Sequence, residues 1–187
     1  KEHLTNKMLK EMNDSCLAIY CGTFDFSKTA ADKNVPILIK DYFDQTINLR
    51  PIRLLHGIEG PINGKTNNDI NFTIIRENSE DFYVGLHGRA KNGKTKQQLE
   101  CNLYKTKFNL DVDTKGNEIA YQIGILSKKG CEKTARYAFN YAKNNGIYQL
   151  TAVDKANMLN CYGIWRESFE KVAKENIPPV EEENEEK

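Results

Sequence analysis

Leu4, Met8, Leu9 and Met12 recur at helical spacing, which predicts a helix over residues 2–13. The unbroken apolar run from Cys16 to Cys21, closed by Gly22, reads as a buried strand. Residues 23–35 are polar and punctuated, so they read as a loop. Pro36 suits the first turn of a helix running to about Ile47, and Pro51 stops it. Strands are predicted at Ile52–Leu55, Asn71–Arg76 and Phe82–Leu86, with a turn-rich loop at Gly57–Pro61 and a polar stretch over 88–98. Two further strands, 101–110 and 118–126, flank Asp113-Thr114-Lys115-Gly116-Asn117, a hairpin signal in which Gly116 can take positive φ. Ala135, Ala138, Phe139 and Ala142 mark a helix over 128–145, capped by Gly146. Tyr148–Val153 reads as a strand and 157–175 as a last helix stopped by Pro178-Pro179. The acidic end, 177–187, is expected to be a disordered tail, because its like charges repel and bury nothing. Mixed strands and helices with a central hairpin predict an α/β domain over 1–176, with a mixed sheet and flanking helices.

Composition narrows the function. The chain has 187 residues, 39% of them hydrophobic and 28% charged, a globular composition long enough for a well-buried domain. A formal net charge of +1 gives no electrostatic case for nucleic acid. No apolar run approaches membrane-spanning length and nothing at the start resembles a secretory signal. The chain starts at Lys1 without a Met, so a processed or partial chain is expected. Cys16, Cys21, Cys101, Cys131 and Cys161 are odd in number and fit neither a disulfide framework nor a zinc site. Reduced thiols and an intracellular location, mitochondrial matrix or cytoplasm, are therefore expected. His3, His56 and His87 are scattered, and no residue is assigned to a metal.

Two sets of side chains carry candidate chemistry. Arg50, Arg53 and Arg76 lie at element ends, and the planar guanidinium fork is the preferred partner of a carboxylate. Surface salt bridges are the alternative use of the same residues. Tyr83 and Lys155 can donate and remove protons at a bound acid, as strand ends of α/β proteins often do. A core aromatic and an exposed amine is the alternative there.

Three ordered segments then point to a family. Asn48-Leu49-Arg50-Pro51, Arg76-Glu77-Asn78 through Tyr83 and Gly85, and Val153-Asp154-Lys155-Ala156-Asn157 resemble the N-L-R-P, R-E-N-x-E-x-x-Y-x-G and V-D-K-A-N segments of the isocitrate/isopropylmalate dehydrogenases. These are the metal-dependent β-decarboxylating dehydrogenases, and the resemblance runs through nearly all of 2–175, including Leu159 and Trp165-Arg166. It implies that Arg50 and Arg76 grip substrate carboxylates and that Tyr83 protonates the enol left by decarboxylation. Lys155 would relay a proton in a partner subunit's site, and Asn157 would lie near the nicotinamide. The hairpin at 101–126 would be a protruding dimerisation arm.

The pattern also departs from the family. Lys40 stands where the family has a further substrate arginine, keeping charge but losing the fork. Residues 33–38 match neither the isocitrate nor the isopropylmalate pattern. The family's G-D-G-I-G-like opening, its metal-binding aspartates after the lysine and its G-rich dinucleotide segment have no counterpart in this sequence. The expectation is therefore the central part of the fold as a non-catalytic subunit with a structural or regulatory role in a larger assembly. It would hold no cofactor of its own. Two alternatives stay open. Tyr83 and Lys155 could complete the site of an NAD(P)-dependent decarboxylating dehydrogenase, with Mg²⁺ or Mn²⁺ held by a homologous partner. Or the arginines could form a carboxylate-sensing module.

Overall fold

The computed structural model describes residues 5–15, 39–40, 42–101 and 103–176. The expected strand at Cys16–Cys21, the loop at 23–35, residues 33–38 and the acidic tail at 177–187 lie outside the described residues. Among the described residues one helix, then six short strands, then two helices follow one another along the chain, an α/β arrangement, and each described sheet is a two-stranded antiparallel pair. Within the span expected as one domain over 1–176, the chain folds as two compact units. One comprises 1–46 and 81–124, the other 47–80 and 125–187.

In the first unit, α1 (Asn6–Ser15) buries Leu9 and leaves Met8 exposed. The Phe43 amide donates to the Ile39 carbonyl at 3.0 Å, a helical turn ending the segment before Asp44. The expected strand at Phe82–Leu86 is instead a 3₁₀ turn, Phe82–Val84. Asp81 before it and Gly85 after it both have positive φ, 59° and 78°, which breaks the extended path that the apolar run suggested.

The remaining described strands of this unit form one long polar ribbon. Strands β3 (His87–Ala90) and β6 (Ile119–Gln122) pair from His87↔Gln122 to Ala90↔Ile119. Strands β4 (Lys94–Cys101) and β5 (Thr106–Asp113) pair from Lys94↔Asp113 to Cys101↔Thr106. The ladder is interrupted between these stretches by three residues on one side and five on the other. The two extra residues preserve the inside–outside alternation, because strand side chains repeat every second position. Thr114 closes the interruption: its amide donates to the Gly93 carbonyl and its hydroxyl accepts from the Gly93 amide, each at 3.0 Å.

The hairpin expected at 101–126 is thus corrected. Its turn exists, since Lys115 and Gly116 have φ of 49° and 84° and the Asn117 amide donates to the Thr114 carbonyl at 2.8 Å. But the strands flanking that turn pair with β3 and β4 rather than with each other, and the ribbon reverses between Cys101 and Thr106.

In the second unit, β1 (Ile47–Arg53) pairs with β2 (Asn71–Glu77) in a ladder running from Ile47↔Glu77 to Arg53↔Asn71. This corrects the helix expected to reach Ile47 and the strand expected at Ile52–Leu55. Pro51 lies inside β1, opposite Thr73. A two-stranded ladder leaves alternate backbone N–H groups unpaired, so a proline is tolerated there. The loop beyond β1 is turn-rich as expected, with the Ile58 amide donating to the Leu55 carbonyl at 3.2 Å.

Helix α2 (Lys128–Asn144) presents Cys131, Thr134, Ala135, Ala138 and Ala142 to the core. These small residues let α3 (Gly163–Asn176) approach closely, burying Ser168 and Val172 and setting Phe139 against Phe169 at 5.3 Å between ring centroids. Arg136–Glu175 and Glu132–Lys171 link the two helices at the surface. The Gly146 cap holds: with φ of 63° it lets the Ile147 amide reach back to the Ala142 carbonyl at 2.9 Å. Tyr148–Val153 forms no ladder with any described strand, and Tyr148 and Val153 are fully or largely exposed.

The ribbon register is directly testable. Gln98 and Asn109 are cross-strand partners whose side chains meet at 3.1 Å. Cysteines placed at 98 and 109 should form an intramolecular disulfide under mild oxidation, read by mass spectrometry of peptides. Cysteines at 108 and 122, opposite one another in a hairpin turning at 113–117, should not.

Candidate functional site

The β1–β2 ladder sorts the arginines by face. Opposite residues of an antiparallel pair share a face, and so do residues two apart on one strand. Asn48 lies opposite Arg76 and Arg50 opposite Ile74, so Arg50 and Arg76 are diagonal neighbours on one face, with Asn48 beside them. Arg50 Nε donates to Asn48 Oδ1 at 3.0 Å, which holds the guanidinium along the strand. Phe72 and Ile74, both substantially exposed, complete this face. Arg53 is three residues from Arg50 and falls on the opposite face. The constellation of three arginines is therefore corrected to two.

The turn after β2 fixes the strand end that carries Arg76. The Glu77 carboxylate bends back to accept from the Ser79 amide at 2.9 Å, from the Ser79 hydroxyl at 2.6 Å and from the Glu80 amide at 2.7 Å. Glu80 is buried, and its carboxylate accepts from the Ser127 amide at 2.7 Å and the Ser127 hydroxyl at 2.6 Å. Ser127 is the N-cap of α2 and accepts from the Gly130 amide at 2.9 Å. A negative charge at a helix N-terminus is favourable, because the first amides of a helix have no internal partners. Gly130 is required here, since a Cβ at that position would stand 2.0 Å from Glu80 Oε1. Within the segment Arg76–Glu80, the arginine lies on the ladder face shared with Arg50 and both glutamates hold the turn. The spacing of Glu77 and Glu80 is a signal for this role, but nothing in the sequence located their partner at Ser127.

Lys155 and Asn157 are exposed on one loop. The Lys155 carbonyl accepts from the Met158 and Leu159 amides at 2.9 and 2.8 Å. Asp154, preceding it, takes both Nε and Nη2 of Arg166 at 2.6 and 2.9 Å, and the Ala156 amide at 2.8 Å. The Arg166 guanidinium, with the Ala156 amide, holds the Asp154 carboxyl below the usual range. Tyr83 and Lys40 belong to the other unit. Tyr83 is exposed on the 3₁₀ turn, and the Lys40 carbonyl accepts from the Gln45 amide at 2.9 Å. Among the described residues, no group of three or more His, Cys, Asp or Glu is placed to hold a metal ion. Among them, too, no helix is long and apolar enough to cross a membrane.

The chain belongs to the isocitrate/isopropylmalate dehydrogenase family, whose sequence model matches residues 1–185. It is 30% identical over 168 residues to a D-malate dehydrogenase (decarboxylating) of Escherichia coli K12, covering 87% of this chain and 40% of that protein. It is 28% identical over 151 residues to a 3-isopropylmalate dehydrogenase of Thermobifida fusca, covering 80% of this chain and 36% of that one. The crystal structure of isocitrate dehydrogenase from Methylococcus capsulatus superposes with a TM-score of 0.63 at 22% identity, over 92% of this chain and 43% of that chain, which shows the shared fold. The chain thus spans well under half the length of the relatives it matches.

Cys131, in the first turn of α2, reports on the buried turn. Burial first, then the charges of Glu80 and Glu77, push its thiol up to about 12 from an ordinary value near 9. The native state keeps this proton after the unfolded chain has lost it, so stability should fall as pH rises between about 9 and about 12. Urea midpoints measured across that range should decline, and Cys131→Ala should flatten the decline. Thiol labelling followed by peptide mass spectrometry should modify the exposed Cys161 well before Cys131 and Cys101.

Proposed function

We propose that this chain binds a small 2-hydroxy di- or tricarboxylate on the β1–β2 face, and contributes to oxidative decarboxylation of that acid. The observation that carries the reading is the placing of Arg50 and Arg76 as diagonal neighbours on one face of a hydrogen-bonded ladder, while Arg53 falls on the other. Two forks about 7–8 Å apart at their backbones suit two carboxylates of one small acid. The exposed Phe72 and Ile74 beside them offer a surface for an apolar portion of the substrate. The two sequence relatives named are dehydrogenases of D-malate and 3-isopropylmalate, which supports this substrate class.

In this reading Tyr83 and Lys155 are proton-transferring side chains of the reaction, Lys155 working in a partner subunit's site, and Asn157 lies near the nicotinamide of NAD or NADP. Among the described residues there is no ligand set for Mg²⁺ or Mn²⁺. A homologous subunit, or another part of the same assembly, supplies the groups that the reaction takes from outside this chain. The ribbon of β3–β6 is the element proposed to pair with that subunit.

The test is ligand-dependent stabilisation, since any ligand bound only by the folded state raises its melting temperature. Isocitrate, 3-isopropylmalate and D-malate are titrated to millimolar concentration. At least one should raise the midpoint. Arg50→Ala and Arg76→Ala should each abolish the shift, and Arg53→Ala should keep it. Assays of the chain in its native assembly, with NAD or NADP and Mn²⁺, then decide the chemistry. Turnover that is lost in Lys155→Ala supports the dehydrogenase reading. Binding without turnover assigns the non-catalytic, regulatory role. No shift with any of the acids overturns the proposal.

A further inference from the structure

We propose that Arg166 is a positioning residue for Lys155: its guanidinium fork, closed on both carboxylate oxygens of Asp154, fixes the loop that carries Lys155 and Asn157. The inference rests on the reading of Lys155 as a proton carrier.

The loop has little else to define it. It is preceded by Tyr148–Val153, which no described strand pairs, and the side chains of Lys155, Asn157 and Met158 stand in solvent. Its order comes from a short series of turns. Asp154 Oδ1 accepts from the Ala156 amide at 2.8 Å, the Lys155 carbonyl accepts from the Met158 and Leu159 amides, and the Leu159 carbonyl accepts from the Tyr162 amide at 3.1 Å. Local turns of this kind open readily unless something outside them holds one end.

Arg166 supplies that hold. It sits in the first turn of α3, a helix fixed by Ser168 and Val172, both fully buried, and by Phe169 against Phe139. The fork reaches Asp154 with Nε at 2.6 Å and Nη2 at 2.9 Å. Two parallel bonds fix the carboxylate plane as well as its distance, which one ammonium cannot do. The Asp154 side chain is only 7% exposed, against 57% for Arg166, so removing the arginine takes the charged partner away from a half-buried carboxylate and leaves it the Ala156 amide. Loss of a charged partner to a buried group is far more disruptive than loss of an exposed one. The same carboxylate serves both bonds, so the arginine's grip is passed directly to the amide next to Lys155. A long lysine side chain can deliver a proton only if its backbone origin is held to within a fraction of an ångström, and anchoring the origin to a helix is how that tolerance is reached.

Hydrogen exchange of the 187-residue chain tests this without requiring turnover. In Arg166→Ala the amides of Ala156, Met158 and Leu159 should exchange about tenfold faster, while the amides of α2 stay unchanged. Millimolar guanidinium ion should restore protection. Arg166→Lys should restore it only in part, because a point charge cannot hold both oxygens. Asp154→Asn, which preserves the side-chain shape, should repeat the loss. In an assembly that turns over, kcat should fall in Arg166→Ala with KM for the acid within about twofold, since Arg50 and Arg76 remain. Unchanged exchange in Arg166→Ala, or full recovery of exchange and kcat in Arg166→Lys, overturns the proposal. Faster exchange in a chain that binds none of the three acids supports the clasp while the carboxylate reading fails, so the two are separable.

Discussion

The second unit depends on one buried carboxylate. Glu80 leaves the end of β2 and meets the N-terminus of α2, where the Ser127 amide and hydroxyl bind it. An ionised group buried without partners would cost several kcal/mol, so the pairing has to be complete for the turn to exist. That need is met by the amide and hydroxyl of Ser127 at a helix start, where backbone amides need acceptors. Each end therefore removes the other's deficit. The strand pair and the helix are joined at this point, and Gly130 is fixed by it, because no side chain fits between the helix and the carboxylate. Cys131, one residue further on, is the group whose chemistry registers the arrangement.

From this joint the candidate site is reached by simple alternation. Glu77 is locked to one side by Ser79 and the Glu80 amide, so Arg76, its neighbour on a strand of period two, is turned to the other face. Antiparallel pairing then brings Asn48 opposite and Arg50 diagonal to it. The orientation of the two guanidinium groups is thus a consequence of where two carboxylates are held. Arg53, at an odd spacing from Arg50, is excluded by the same rule. Sequence proximity had placed it with the others; strand geometry separates it.

What the sequence made legible, and what it hid, divides along physical lines. Helix α2 was readable because its small residues repeat at helical spacing, and its end was readable from Gly146. Strand β2 was readable from an apolar run. The ribbon was not, because Lys94–Cys101 is almost wholly polar and owes its strand form to pairing with Thr106–Asp113. Asn92-Gly93 and Lys115-Gly116 both carry turn signals, but a turn residue reports a local bend and not which strands will pair across it. Pro51 misled for a related reason: it forbids a helix interior and a central strand, yet fits a strand with an open side. The motifs named the family correctly. They named candidate residues without saying which point at a ligand and which hold the frame.

That last distinction explains why a short motif can be so specific. In Arg76–Glu80 one residue joins the ladder face while two support it, and in Asp154–Asn157 the aspartate is tied down while the lysine beside it is exposed. An exposed arginine or lysine alone could be placed by many sequences. A fixed one requires its neighbour to be at least half-buried and paired, and that neighbour requires a partner elsewhere: Ser127 for Glu80, Arg166 for Asp154. The constraint therefore extends well beyond the motif, to a helix cap in one case and a helix first turn in the other. Each motif is half of a contact whose other half lies further along the chain, which is why family and frame could be read together.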